Sequence, residues 1–217
     1  MLYLHRKIIL ASPMQDYYKK HTHIIAAFVA FAILGSCEKE VPYVEQIERQ
    51  RLQKDYQMRN SQDSPFYGNI DKFKGLDYFA PDEKYKIEAR FVPWSGIEKA
   101  SLRTSDNKSR EYFRYGHAEF QIKGSSHRLV IFQPANDPGG KEGLFLGFGD
   151  ATSANETYGA GRYLDVTHSG GETIVLDFNL AYNPYCAYTD AFSCPIPPKE
   201  NFLTVPIPAG EKDYKLH

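Results

Sequence analysis

The sequence predicts a mainly β protein, an antiparallel β-sandwich or partly closed β-barrel with a short N-terminal helix. Three observations carry this reading. Residues 84–92, KYKIEARFV, alternate strictly, with Tyr85, Ile87, Ala89 and Phe91 on one side and Lys86, Glu88 and Arg90 on the other, the period-two pattern of a half-buried strand. Comparable runs follow at 112–122, 128–133, 143–148, 161–166, 173–178 and 202–207, with a weaker one at 99–104. Between them lie breakers: KGSS at 123–126, NDPGG at 136–140 and HSGG at 168–171. Short strands joined by turns point to antiparallel pairing.

The elements can be justified in chain order. Lys19 and Lys20 precede an apolar run, IIAAFVAFAIL, at 24–34, followed by Gly35, Ser36 and Cys37. A basic start, a short apolar stretch and small residues before a cut are the parts of a secretory signal. The run is too short to span a bilayer as a helix. Leu34-Gly35-Ser36-Cys37 resembles the bacterial lipobox, in which the cysteine is lipidated and becomes the new first residue. On this reading residues 1–36 are a lipoprotein signal peptide, with Met14 an alternative start of ordinary proportions. Residues 37–63 are then a tether and helix, and 64–217 a single β-rich domain. Glu38-Lys39-Glu40 is similar to the acidic export tag of surface lipoproteins of the Bacteroidetes type. The expected location is the cell envelope, at the outer membrane, on its periplasmic or surface side. The lipid on Cys37 would tether a polypeptide that does not itself cross the membrane.

Residues 1–36 carry Arg6, Lys7, Lys19 and Lys20 against Asp16, so the chain from Cys37 has four more acidic than basic residues. No segment combines a basic patch with interleaved aromatics, which argues against nucleic acid as a partner. Residues 41–60 read as a helix with Val44, Ile47, Leu52 and Tyr56 on its apolar side and a solvated polar side. Residues 61–65 stop it. Pro206 and Pro208 make the run at 202–207 an edge strand.

Three polar stretches are too dense to be mere connectors: 149–166, 177–188 and 193–207. Within them ETYGAGRYLD at 156–165, LDFNLAYNPYCAY at 176–188, CPIPPKEN at 194–201 and AGEK at 209–212 resemble the bacterial and archaeal family known as domain of unknown function 1684. SPF at 64–66, FKGLDYFAPDEKYKIEA at 73–89 and GHAEF at 116–120 fit it too. The resemblance spans roughly 41–212 and implies one domain, but the family has no established activity and supplies no substrate.

Gly159 and Gly161 allow a tight loop from which Glu156, Tyr158 and Arg162 project. Arg162 offers a planar fork for carboxylate or phosphate, or else pairs with Glu156 or Asp177. Asp177 and Asn179 fall on one side of a strand by period two, facing a cleft or solvent. Asn183-Pro184 makes a turn with the amide bonding local backbone. Together Glu156, Tyr158, Arg162, Asp177, Asn179 and Asn183 are the expected pocket, suited to a small polar or anionic ligand, with crowded tyrosines offering contact area. Cys186 and Cys194, eight apart in an exported chain, are expected to form a disulfide; free thiols, a metal site or a nucleophile are the alternatives. Their spacing is not that of a zinc site, and neither a metal nor a cofactor is expected. His117 and Glu119, two apart on one strand, are the weak acid–base candidates, against the plainer reading of a hydrogen-bonded strand histidine. There is no G-x-S-x-G elbow or H-E-x-x-H helix. The leading functional expectation is an envelope binding or accessory module; an enzyme with an unfamiliar site and an envelope scaffold are the alternatives.

Overall fold

The computed structural model describes residues 40–137 and 143–214. The expected signal peptide and Cys37 lie outside them. The fold is mainly β: a curled antiparallel sheet forming a half-barrel, with one helix near the N-terminus. Helix α1 spans Tyr43–Asn60. The strands are β1 (Lys86–Pro93), β2 (Lys99–Arg103), β3 (Ser109–Ile122), β4 (Ser125–Pro134), β5 (Leu144–Phe148), β6 (Arg162–Val166) and β7 (Thr173–Asp177). Their order across the sheet is β6-β5-β4-β3-β1-β7, with β2 also paired to β3. The sheet curls until its two end strands, β6 and β7, approach each other.

The alternation seen in the sequence sets the two sides. Ala89, Phe91, Ala118, Phe120, Leu129, Ile131, Leu146, Leu164 and Leu176 point into one buried cluster. Removing such side chains from water is the main favourable term, about 1.5–3 kcal/mol for each large aliphatic or aromatic group. β3 and β4 form a hairpin closed by Lys123 and Gly124, with φ of 50° and 77°, a left-handed pair whose twist suits a two-residue turn. Ser125 and Ser126, the second half of the expected breaker at 123–126, are instead the first residues of β4.

Two expectations are corrected here. The run at 202–207 is not a strand: it makes one isolated bridge, Gly149 with Phe202, and otherwise crosses the open end of the sheet as an irregular strap. Pro206 and Pro208 cannot donate to a ladder. Leu203 N and Val205 O bond the backbone of Gly149 and Ala151, and both peptide groups of Ile207 are taken up by the side chains of Arg162 and Asp150. The second correction concerns α1. Val44, Leu52 and Tyr56 are 49%, 71% and 68% exposed, whereas Ile47 and Met58 are buried. The inward side runs Ile47, Arg51, Lys54 and Met58, spaced i, i+4, i+7 and i+11 on one helix face. Two cations in the middle of that stripe hid it from a reading based on hydrophobicity. The helix belongs to the same compact unit as the strands, Pro42–His217.

Asn201 repairs a gap in the sheet. β4 and β5 pair through Phe132 and Phe145 alone. Where the ladder stops, the fully buried Asn201 side chain accepts from Val130 N at 2.8 Å and donates to Val130 O and Gly147 O, both at 2.8 Å. Its amide does for Val130 what a neighbouring peptide would do. Because a buried group left without its partner costs about 1–3 kcal/mol, Asn201→Ala is expected to lower stability by about 3 kcal/mol or more in denaturant unfolding. Asn201→Asp, which cannot donate to the two carbonyls, should rescue little of it.

Candidate functional site

The residues of the AGEK and ETYGAGR segments meet at a buried ionic centre. Gly161 has φ of +96°, and a Cβ there would stand 2.6 Å from Phe148 O. This close turn delivers Arg162 into the interior at 1% exposure. Its Nη2 donates to Asp150 Oδ2 at 2.9 Å and to Ile207 O at 2.9 Å; Nη1 donates to Ala209 O and to Glu211 O, the latter at 3.2 Å. Asp150 is saturated in turn, accepting from Ile207 N, Thr152 N and Thr152 Oγ1. Burial pulls the guanidinium below its usual value, against the opposing field of Asp150. With both Nη groups aimed at carbonyls and a carboxylate, Arg162 holds the strap.

Glu211 extends this centre outward. Gly210, with φ of +77°, packs so tightly that a Cβ would lie 2.6 Å from Ala181 O, and the turn aims the next side chain inward. Glu211 is 1% exposed and accepts from Asn183 N at 3.2 Å, Asn183 Nδ2 at 2.9 Å, Lys54 Nζ at 3.3 Å and the Tyr188 hydroxyl. Lys54 also stands 3.9 Å from the centre of the Tyr182 ring, a cation–π contact worth about 0.5–2 kcal/mol. Burial pushes its ammonium below the ordinary lysine value, with Glu211 resisting. Asn183 therefore bonds a distant carboxylate, and Lys212 O at 2.7 Å, rather than the local backbone.

Above Glu211 lies a cleft of about 810 Å³. One wall is α1, through Gln50, Arg51, Gln53, Lys54 and Gln57; the floor includes Tyr163 and Asp165; the far wall is Tyr182, Tyr185 and Phe192 to Pro195. The floor is locked because Tyr163 and Tyr182 exchange backbone hydrogen bonds of 2.8 and 2.9 Å, which also covers the outer edge of β6. Arg51 reaches Phe79 O and Asn179 O and lies 4.6 Å from the Tyr78 ring centre. Arg110 donates to Ser193 O. The buried Arg51 Nε and Tyr78 hydroxyl have no hydrogen-bond partner among the described residues.

Of the six residues expected to share a pocket, only Asn179 lines this cleft. Arg162 and Asn183 are joined through Glu211 beneath it. Asp177 ends β7, and Asn179 belongs to the following 3-10 turn, Phe178–Leu180, so the two do not share a strand face. Both bond the Tyr43 hydroxyl of α1. Asn179 also accepts from Asp82 N and donates to Asp82 O, both at 2.9 Å. Glu156 is exposed. Tyr158 is half-buried, its hydroxyl 4.0 Å from Cys186 Sγ. His117 and Glu119 lie 3.2 Å apart on β3, with Glu119 also taken by Arg90 and Trp94 edge-on to the His117 ring. They are not among the cleft-lining residues. Cys186 and Cys194 are unbonded thiols, the Cys186 amide donating to Cys194 Sγ at 3.2 Å. Among the described residues no group of three or more His, Cys, Asp and Glu is placed to hold a metal ion.

Lys54, Arg51 and Glu211 escaped the sequence reading. The signal was the i, i+4, i+7 spacing of Ile47, Arg51 and Lys54, which the charges of the last two disguised as a solvated face. Removing Glu211 strands an ammonium, an amide and a hydroxyl, and breaking a buried pair from one side costs about 3–5 kcal/mol. Glu211→Ala is expected to show a loss of that size in denaturant melts. Lys54→Met, which deletes a charge on a side chain 25% exposed, should cost clearly less.

A family model described as protein of unknown function, DUF1684, matches residues 71–212. The chain is also similar to an uncharacterised protein of Haloarcula marismortui with a solution NMR structure. The two share 38% identity over 77% of this chain and 92% of that one, with a TM-score of 0.62. No curated protein matches the chain. The matched segment holds the whole sheet, the Arg162–Asp150 centre, Glu211 and both loop cysteines, and the chain belongs to the DUF1684 family.

Proposed function

We propose that the protein is a lipid-anchored binding or accessory module of the cell envelope whose cleft takes a small anion carrying a planar or sugar body. The observation that carries this is the imbalance of the lining: Arg51, Lys54 and Arg110 against the single carboxylate of Asp165. Lys54 is balanced by Glu211. Asp165 is engaged by the Tyr182 hydroxyl at 2.8 Å. Arg51 and Arg110 have no carboxylate within ion-pair distance among the described residues. Their charge is available to a phosphate or carboxylate, and a guanidinium matches the geometry of either. Tyr78, Tyr182, Tyr185 and Phe192 supply flat apolar contact for the rest of the molecule. A volume of this order suits a metabolite-sized ligand.

The anchoring half of the reading rests on the run of basic, apolar and small residues that ends at Cys37. In the same exported setting Cys186 and Cys194 stand close enough to bridge, which would fix the far wall of the cleft.

Two experiments test the reading. Sugar phosphates and aromatic carboxylates, screened by thermal shift, are expected to include one that raises the melting temperature, as any ligand of the folded state does by mass action. Arg51→Gln and Arg110→Gln should each weaken that ligand about tenfold in calorimetric titration, the worth of one charged hydrogen bond. A screen without a hit, or variants that bind as tightly as the parent, overturns the anion site. Separately, Cys37→Ala is expected to move the protein from the membrane to the soluble fraction. Retention in the membrane fraction defeats the anchor.

A further inference from the structure

Cys186 and Cys194 are held against each other from two differently anchored segments. Cys186 sits in the 3-10 turn Tyr185–Ala187. Cys194 is pinned to the β2–β3 turn, its amide donating to Ser105 Oγ at 3.1 Å and its carbonyl accepting from Ser105 N at 2.9 Å. The two sulfurs differ in setting. Cys194 is 8% exposed and Cys186 is half-buried. Donors converge on Cys186: first the Cys194 thiol, then the hydroxyls of Ser105 and Tyr158. These hold the Cys186 thiol below its ordinary value, against burial, while the same contact and burial push Cys194 upward. Tyr158 and Tyr163, both raised by burial, and Arg110, which favours a Cys194 thiolate, are the other ionisable groups facing the pair. The Cys186 amide points at Cys194 Sγ, and Cys186 is the more exposed sulfur of the two. A sulfur that is both exposed and thiolate-rich is the reactive member of such a couple.

We propose that Cys186 and Cys194 form a thiol–disulfide exchange pair, with Cys186 the attacking sulfur, Cys194 the resolving sulfur and small-molecule disulfides the substrate class. The Cys186 thiolate attacks one sulfur of R–S–S–R, forming a mixed disulfide and releasing RS⁻. The Cys194 thiol gives its proton to solvent and attacks the Cys186 sulfur, forming the internal bridge and releasing the second RS⁻. Both leaving thiolates take protons from solvent. Two electrons pass from the protein dithiol to the substrate, which leaves as two thiols. Cys194 lines the cleft, so the bridge forms in its wall. The exchange chemistry stands whether or not the cleft takes an anion.

The test uses the full-length Cys37→Ser chain, in which Cys186 and Cys194 are the only thiols, with glutathione disulfide as the probe and peptide mass mapping as the readout. The pair is expected to close to an internal bridge that excess reduced glutathione reopens. Adding Cys194→Ser should stop the reaction at a glutathione adduct on Cys186. Adding Cys186→Ser should slow adduct formation about tenfold or more. A bridge that never forms, a bridge that resists reduced glutathione, or a Cys186→Ser chain that reacts as fast as its Cys194→Ser counterpart overturns the proposal. A measurement with both cysteines intact guards against misfolded variants: iodoacetamide labelling of Cys186 should have its pH midpoint well below the ordinary thiol value. A midpoint at the ordinary thiol value of 9.0 also overturns it.

Discussion

The fold hangs on one guanidinium. Arg162 gathers the carbonyls of Ile207, Ala209 and Glu211 and neutralises Asp150, which itself takes the Ile207 amide. A curled sheet that does not close exposes an open end, and something must cover it without a ladder to hold the cover in place. Here the cover is a proline-interrupted strap whose peptide groups would be stranded in the interior. A planar, permanently charged donor set with a saturated carboxylate behind it satisfies them at a point where no β-strand is available. Replacing such a centre by hydrophobic residues is often tolerable in general. In this protein it would take from the Ala209 and Glu211 carbonyls the donor that Arg162 gives them.

The same substitution of side chain for backbone recurs. Asn201 grips both peptide groups of Val130, and Asn179 grips both peptide groups of Asp82. Asn183 ties Glu211 to Lys212 O. A carboxamide carries one acceptor and two donors in a plane, the inventory of a peptide bond with one donor to spare. The DFN, AYNP and KEN segments each place one at a spot where the sheet has run out. Their density in polar residues, which suggested a binding pocket, is in large part the chemistry of closing an irregular structure. The cleft lies next to this framework and draws most of its charge from elsewhere.

What could be read from the sequence follows from this division. β1 to β7 were legible because Tyr85, Ala89 and Phe91, and their counterparts on the later strands, alternate against water. The strap at 202–207 also alternates, yet its partner is Arg162, and no local pattern announces that. In α1 the exposed Leu52 and Tyr56 were more conspicuous than the inward Arg51 and Lys54, since apolarity marks burial only when no partner waits for the charge. Glu211 was legible as part of AGEK, but its role depends on Lys54, more than 150 residues upstream. Long-range polar pairing leaves little trace in local periodicity.

The position of α1 relative to the family segment has a consequence for how such a protein can change. The sheet, the strap, the asparagine clamps and both loop cysteines lie within 71–212, whereas Arg51, Lys54 and the three cleft glutamines lie before it. The framework and the helix wall of the cleft are thus written in separate stretches of the chain, while the remaining lining, from Tyr78 to Pro195, shares the framework's stretch. Glu211 is the seam between them: its backbone serves the frame and its carboxylate receives the helix. A different leading helix that still supplied one cation to Glu211 could redraw what the cleft attracts while leaving the domain's closure untouched. The architecture behaves as a fixed chassis with an exchangeable front plate.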